Sequence, residues 1–232
     1  MKISVIIPAH NEAKIIAKTL RAIGQQDYSD YEIILVDNNS TDETAAVAAS
    51  FPGIEVLSEK RKGTMWACEC GRQAAKGEII ARLDADCLPE PDWLSRGAAY
   101  FANPKVAAVS GPYDYYDAAW LPRFSSLFIQ KTVYVLVNNL LRLIGRGGIT
   151  LGGNTFIRAS TLSQMGGFNT AITFYGDDTD TAKRAARYGR VIFSPRLTMA
   201  TLAPGAERHG DDQGLKKVLI YLVHFFRVIM QK

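Results

Sequence analysis

Short apolar runs alternate with amphipathic segments through the first half of the chain, the pattern of strands and helices in an α/β sheet. Ile3–Ile7 reads as a first buried strand. The segment after it, Glu12–Ile23, is apolar at Ile15, Ile16, Leu20 and Ile23, which is the spacing of one helix face. Glu32–Val36 is the next strand and ends at DNNSTDET, where Ser40 and Glu43 stand at capping-box spacing and predict a helix running to about Ser50. The alternation continues with strands over Ile54–Leu57, Ile79–Leu83 and Val106–Ser110, separated by helices over Thr64–Ala75 and Pro91–Phe101. The second half is less regular. Residues 112–122, PYDYYDAAWLP, read as a loop before a long apolar-rich segment from Phe124 to Ile144 and the glycine-dense GRGGITLGGN. A helix over Asp178–Tyr188, a strand over Val191–Phe193 and a last amphipathic helix over Leu215–Met230 complete the pattern.

Composition narrows the classes. With 232 residues and 47% hydrophobic content, the chain buries a real core and suits one compact domain. Lysine plus arginine exceeds aspartate plus glutamate by only 27 to 23, with no clustered basic stripe, which argues against nucleic acid as a partner. The excess suits an anionic ligand or an anionic membrane surface. Three cysteines, with Cys68 and Cys70 nearly adjacent, make no disulfide framework and point to a reducing cytoplasm. The apolar N-terminal stretch is broken by PAHNE too soon for a signal peptide, and no run reaches the length of a membrane span.

Open sheets of this kind bind ligands beyond the carboxyl ends of their strands, and three polar clusters fall there: PAHNE, VDNNSTD and DADC. Residues i and i+2 of a strand point to one face about 7 Å apart, so Asp84 and Asp86 can share one cation. A hard divalent ion takes carboxylate oxygens together with substrate phosphates, and it offsets the repulsion between the two acids. Taken alone, Asp-x-Asp is also a pair of solvated turn residues before the helix at Pro91.

SVIIPAHNEAKII, EIILVDNNSTDET, Lys62–Gly63, GEIIARLDAD, LGGNTFIR (151–158) and GDDTDTAKRAARYGRVIF (176–193) resemble, in order and spacing, the family 2 glycosyltransferases of GT-A fold. The resemblance implies a Rossmann-like, mostly parallel central sheet flanked by helices. It implies a glycosyltransferase domain over 1–204, with a nucleotide-binding half (1–111) and an acceptor-binding half (112–204), before a loop and tail helix over 205–232. It implies an inverting transfer of a single sugar from a UDP- or GDP-linked donor, with Mn2+ or Mg2+ on the diphosphate and a glycan or lipid-linked acceptor. Under it, Pro8, Ala9, His10, Asn11 and Glu12 line the nucleotide pocket, and Asp37 and Asn38 fall where relatives bind the base. Lys62 meets the diphosphate, Asp84 the ribose or metal, and Asp86 the metal, with Ala85 between them; Gly153 and Asn154 lie beside the donor sugar. Asp177 and Asp178 match an acidic pair whose second member is the catalytic base, and Arg184 matches the arginine that would brace them. His209 is a further candidate for the metal or the acceptor.

Residues 124–146 and 215–232 are more apolar than a domain edge needs and carry scattered lysine and arginine, as interfacial helices do. They suggest peripheral contact with the inner face of the plasma membrane, or packing in a core or dimer. The sequence leaves oligomeric state open. The rival classes are a sugar-phosphate nucleotidyltransferase and a non-catalytic nucleotide-sugar-binding or membrane scaffold protein.

Overall fold

The computed structural model describes residues 1–172 and 176–203. The elements in order are β1 (Ile3–Ala9), α1 (Ile16–Ile23), β2 (Tyr31–Asp37), α2 (Thr44–Ala49), β3 (Ile54–Ser58), α3 (Thr64–Ala74), β4 (Ile79–Leu83), α4 (Trp93–Ala99), β5 (Val106–Ser110), β6 (Tyr113–Tyr115), α5 (Trp120–Ile129), α6 (Val135–Leu143), β7 (Asn154–Arg158), α7 (Ala159–Gln164), α8 (Asp177–Ala185), β8 (Arg190–Phe193) and β9 (Met199–Thr201). Seven strands form one sheet in the order β3-β2-β1-β4-β7-β5-β8, and β6 pairs with β9 in a second, smaller sheet. The large sheet is parallel except at β7, which runs antiparallel to both β4 and β5.

Alternation within each strand sorts side chains between two cores. Val5 and Ile7 of β1 and Leu35 of β2 pack under α1 and α4, while Ile6, Ile34 and Val36 pack on the other face with Met65 and Cys68 of α3 and Ala182 and Ala185 of α8. Both faces are covered, which is why these strands read as continuous apolar runs. Trp93 anchors the first core, its ring 4.5 Å from that of Phe156 and its indole N–H donating to Asn154 Oδ1 at 2.9 Å.

Most strand expectations hold within two residues, but several local readings change. The helix expected from Glu12 begins at Ile16. The Ser40–Glu43 capping box does not form. Ser40 Oγ instead accepts the Asn11 N–H at 3.0 Å, and Asp42 Oδ1 accepts the Thr44 N–H, because the β1 loop competes for the same donors and acceptors. The segment 112–122 is not a simple loop: it contains β6 and opens α5 at Trp120. The apolar segment forms α5 and α6 joined by a π-helical turn over Gln130–Tyr134. The expected tail helix over Leu215–Met230 lies outside the described residues.

The antiparallel strand decides the site. Asn154 pairs with Leu83, so β7 begins at the end of the sheet where β4 finishes, and residues 150–153 arrive beside Asp84. The small sheet does the same for Asp86: Ala200 bridges Leu88, and neighbouring Thr201 donates its hydroxyl to Asp86 Oδ1 at 3.3 Å.

Candidate active site

The ends of β1 and β2 are laced together. Asn38 N–H donates to Ala9 O at 2.8 Å, Thr41 N–H to Asn11 Oδ1 at 2.8 Å, Glu12 N–H to Thr44 Oγ1 at 2.8 Å and Ala13 N–H to Asp42 Oδ2 at 3.1 Å. His10 Nδ1 lies 2.9 Å from Asn38 O, which fixes the tautomer with the proton on Nδ1. Asn11 and Asn39 both sit at positive φ, 57° and 64°, a conformation that asparagine tolerates better than most residues. Pro8 and Ala9 are the last residues of β1, Ala9 with its side chain buried. Asp37 closes β2, and its Oδ1 is buried without a hydrogen-bond partner.

Asn38 is placed differently from expectation. Its side chain is 5% exposed, its amide N–H groups donate to the carbonyls of Glu59 and Arg61 at 2.9 and 2.8 Å, and its Oδ1 accepts the Gly63 N–H at 2.8 Å. It fixes the 59–63 loop rather than facing a base. On that loop Arg61 is bound by both oxygens of Glu59 and lies over the Trp66 ring at 3.8 Å, while Lys60 and Lys62 are both exposed.

At the end of β4 the acids converge on one cation. Arg82, only 8% exposed, donates from Nη1 to Asp177 Oδ2 at 2.8 Å and lies 3.5 Å from Asp178 Oδ1 and 3.6 Å from Asp84 Oδ1. Burial pushes the Asp178 carboxyl up to about 8; the neighbouring charge of Asp177 adds to this, and the Arg82 guanidinium works against it. Tyr113 of β6 faces the same acids, its phenol raised by burial and then by the charge of Asp84. Asp177 and Asp178 open α8, where the helix dipole favours negative charge.

The glycine pair before β7 has a steric reason. A Cβ on Gly152 would stand 2.5 Å from the guanidinium carbon of Arg82, and one on Gly153 would stand 2.5 Å from Asp84 Oδ2. Only glycine lets the backbone cross this closely over the acid cluster.

Three other candidate residues make contacts of their own. Arg184 does not brace Asp177 and Asp178: it pairs with Asp180 at 3.2 Å and donates to the carbonyls of Met165 and Gly167, because nearly two helical turns separate it from those acids and carry it toward the α7 end. Arg82 takes that bracing position. Asn154 is fully buried, accepting from Trp93 and donating to the carbonyls of Leu197 and Pro112, so its side chain locks β7 into the core. Ala85 is 4% exposed and its carbonyl accepts the Thr19 hydroxyl at 2.7 Å, making it a buried spacer between the two aspartates. His209 lies outside the described residues.

The model of glycosyl transferase family 2 matches residues 4–165. The chain belongs to glycosyl transferase family 2. Glycosyltransferase AglE of Haloferax volcanii is 31% identical over 198 residues, 81% of this chain and 62% of that protein. A β-monoglucosyldiacylglycerol synthase of Nostoc is 27% identical over 72% of this chain and 38% of its own length. The chain thus spans about two- to three-fifths of the curated relatives it matches. Among solved structures, the mannosyltransferase PcManGT from Pyrobaculum calidifontis, in complex with GDP-Man and Mn2+, superposes with a TM-score of 0.75 at 27% identity, over 99% of this chain and 64% of that one. TarS of S. aureus, in complex with UDP-GlcNAc, gives 0.71 at 18% identity, over 99% and 70%, a likeness of fold.

In this member of family 2, then, the GT-A architecture expected from the motifs is present, and the acids at 84, 177 and 178 share one cluster. Sequence reading missed Arg82, Tyr113 and Thr201. The available signal for Arg82 was a lone cation inside the apolar run IIARL, which is costly unless paired.

Proposed function

We propose that this chain transfers a single sugar from a nucleoside-diphosphate sugar to an acceptor, with inversion, using Asp178 as general base and a divalent cation, Mn2+ or Mg2+, on the donor diphosphate. One observation carries the reading: Arg82 joins Asp84, at the donor end of β4, to Asp178, at the head of α8. A departing diphosphate and an attacking hydroxyl need groups of these two kinds within one site. The buried, partnerless Oδ1 of Asp37 suits an N–H of the nucleobase, and the laced β1 and β2 loops supply a rigid wall for it.

The donor set for a metal fits its chemistry. Among the described residues no three His, Cys, Asp or Glu side chains gather as a closed metal site. Asp84, with 37% of its side chain exposed, and Asp86, contacted by Thr201, stand two residues apart just past β4 instead, and magnesium-like ions use one or two carboxylates and complete their shell with water and substrate phosphate. Bound there, such an ion would supply positive charge to the diphosphate as it leaves. The protein's own part is acid–base: the Asp178 carboxylate takes the acceptor hydroxyl proton as the oxygen bonds to the anomeric carbon and the bond to the diphosphate breaks. A carboxyl raised to about 8 is a stronger base than an ordinary aspartate, and its ionised fraction at neutral pH is the form that takes the proton. PcManGT, with GDP-Man and Mn2+, supports the donor class, and the diacylglycerol-directed Nostoc relative supports a lipid-linked acceptor beside a glycan one. All three cysteines are free thiols, which suits a protein working in the cytoplasm.

Family membership leaves the nucleotidyltransferase reading without support. The non-catalytic one is separated by experiment. Asp178→Asn should cut transfer by at least about a thousandfold while UDP- or GDP-sugar, with Mn2+, still raises the melting temperature as it does for the unaltered chain. Retained transfer would remove Asp178 as the base. No nucleotide-induced shift in the unaltered chain would remove the donor site.

A further inference from the structure

We propose that α5, the π turn and α6 form a docking face for an anionic lipid bilayer, an interaction that stands independently of the transfer chemistry. A helix on the edge of a soluble domain normally buries its apolar stripe and shows water its polar side. Here much of the apolar side is outside. Trp120 is 77% exposed, Phe124 64%, Phe128 58%, Leu136 71%, Leu140 57% and Leu143 79%, and α5 buries no residue at all. The inward side carries polar anchors beside Leu141, which packs with Ile149, Leu151 and Phe193. Gln130 is 5% exposed, accepting the Tyr113 N–H at 2.8 Å, and Asn138, 1% exposed, accepts the Ile149 N–H at 2.8 Å and donates to Val191 O at 3.2 Å. So large a run of exposed aromatic and aliphatic side chains marks a contact surface.

The π turn keeps that surface on one side. Side chains four apart on an α-helix drift about 40° around the axis at each step, so a stripe at 120, 124 and 128 would have wound well around the helix by 136 and 140. The π turn at Gln130–Tyr134 adds a residue to one turn and rotates the helix beyond it back by roughly 100°. Leu136, Leu140 and Leu143 therefore return to the face of Trp120, Phe124 and Phe128.

Charge identifies the occupant. Residues 118–176 contain no aspartate or glutamate. Arg123 is taken up by Asp114 at 2.6 Å, but Lys131, Arg142 and Arg146 on the same stretch are exposed. At the end of the stripe, next to Leu143, a cavity of about 300 Å³ is lined by Arg142 and Arg190 together with Gly145 and Gly189. Two guanidinium groups around a space of this size suit a phosphate headgroup. The chain's own apolar tail is a poorer complement, since residues 213–232 carry Lys216, Lys217, Arg227 and Lys232 and no acid. A second copy would bring the same cations. Apolar side chains flanked by exposed lysine and arginine are the composition of a helix lying in an anionic membrane interface. Through Asn138 and Ile149, α6 is tied to the backbone that leads into the glycine loop over Asp84, so a docked bilayer would lie close to the acceptor side of the site.

The test is flotation of the full chain with vesicles of phosphatidylglycerol or of phosphatidylcholine alone. The unaltered chain should float with the phosphatidylglycerol vesicles and release at high salt. Leu136→Ser with Leu143→Ser should bind at least about tenfold more weakly, with an unchanged circular dichroism spectrum and an unchanged donor-induced melting shift. Arg142→Glu with Arg190→Glu should lose the preference for phosphatidylglycerol. The proposal is overturned if the unaltered chain ignores both vesicles, if the leucine variant floats as well as the unaltered chain, if only Leu219→Ser and Phe225→Ser in the tail abolish flotation, or if the leucine substitutions turn a dimer into a monomer. The donor-induced shift keeps a failure here distinct from a failure of the transfer reading.

Discussion

Arg82 faces three carboxylates with one positive charge. The guanidinium holds Asp177 by a direct hydrogen bond and reaches Asp84 and Asp178 only at longer range, while burial and then the charge of Asp177 hold the Asp178 carboxyl toward its protonated form. Removing the cation leaves part-buried carboxylates uncompensated, a loss of about 3 kcal/mol once solvent screening is allowed for. Arg82→Met should therefore lower the melting temperature at pH 7 by about 10 °C. A thermal melt checks this; an unchanged melting temperature would mean that the acid cluster does not depend on Arg82 for its charge balance. The individual acids were legible in the sequence because they stand in ordered motifs. Their shared cation was not, since nothing in IIARL says which distant residues a strand arginine will meet.

At the scale of elements, the alternation of apolar runs was enough to find β1 to β5 and their helices, because β1, β2, β4 and β5 are buried on both faces and the edge strand β3 still packs Ile54 and Val56 against the core. It was not enough for β6, β7 and β9. β6 and β9 are three residues each, too short for a period to show, and β7 reads as part of a glycine-rich motif. Its antiparallel insertion between β4 and β5 is a long-range pairing that no local pattern encodes. That pairing is what carries Gly153 onto Asp84. Gly153→Ala must displace either the loop or the carboxylate, since its Cβ would sit inside contact distance of Asp84 Oδ2. The expected result is a Mn2+-dependent donor affinity reduced by about tenfold or more, with the fold retained by circular dichroism. Titration of the nucleotide-induced melting shift measures this, and an unchanged midpoint would show that Asp84 takes no part in donor binding.

Across the whole molecule, a sheet covered on both sides carries its charged groups at one rim, and the fold holds Asp178 there against its solvation preference. Linkage gives the sign of the consequence. Burial and Asp177 raise the folded carboxyl from 3.8 to about 8, so the protonated form is the one the fold favours. Stability from this group is complete below about pH 4 and drains away as the pH rises through 8. An asparagine cannot ionise, and its carbonyl oxygen can still accept the Gly152 N–H that now reaches Asp178. In the absence of donor and divalent ions, Asp178→Asn should thus melt close to the unaltered chain near pH 4 and about 5 °C above it at pH 8.5. The variant predicted to lose transfer is also predicted to be the more stable protein at alkaline pH, and a gap that stays flat between pH 4 and 8.5 would show that Asp178 ionises freely and is not held as a raised base.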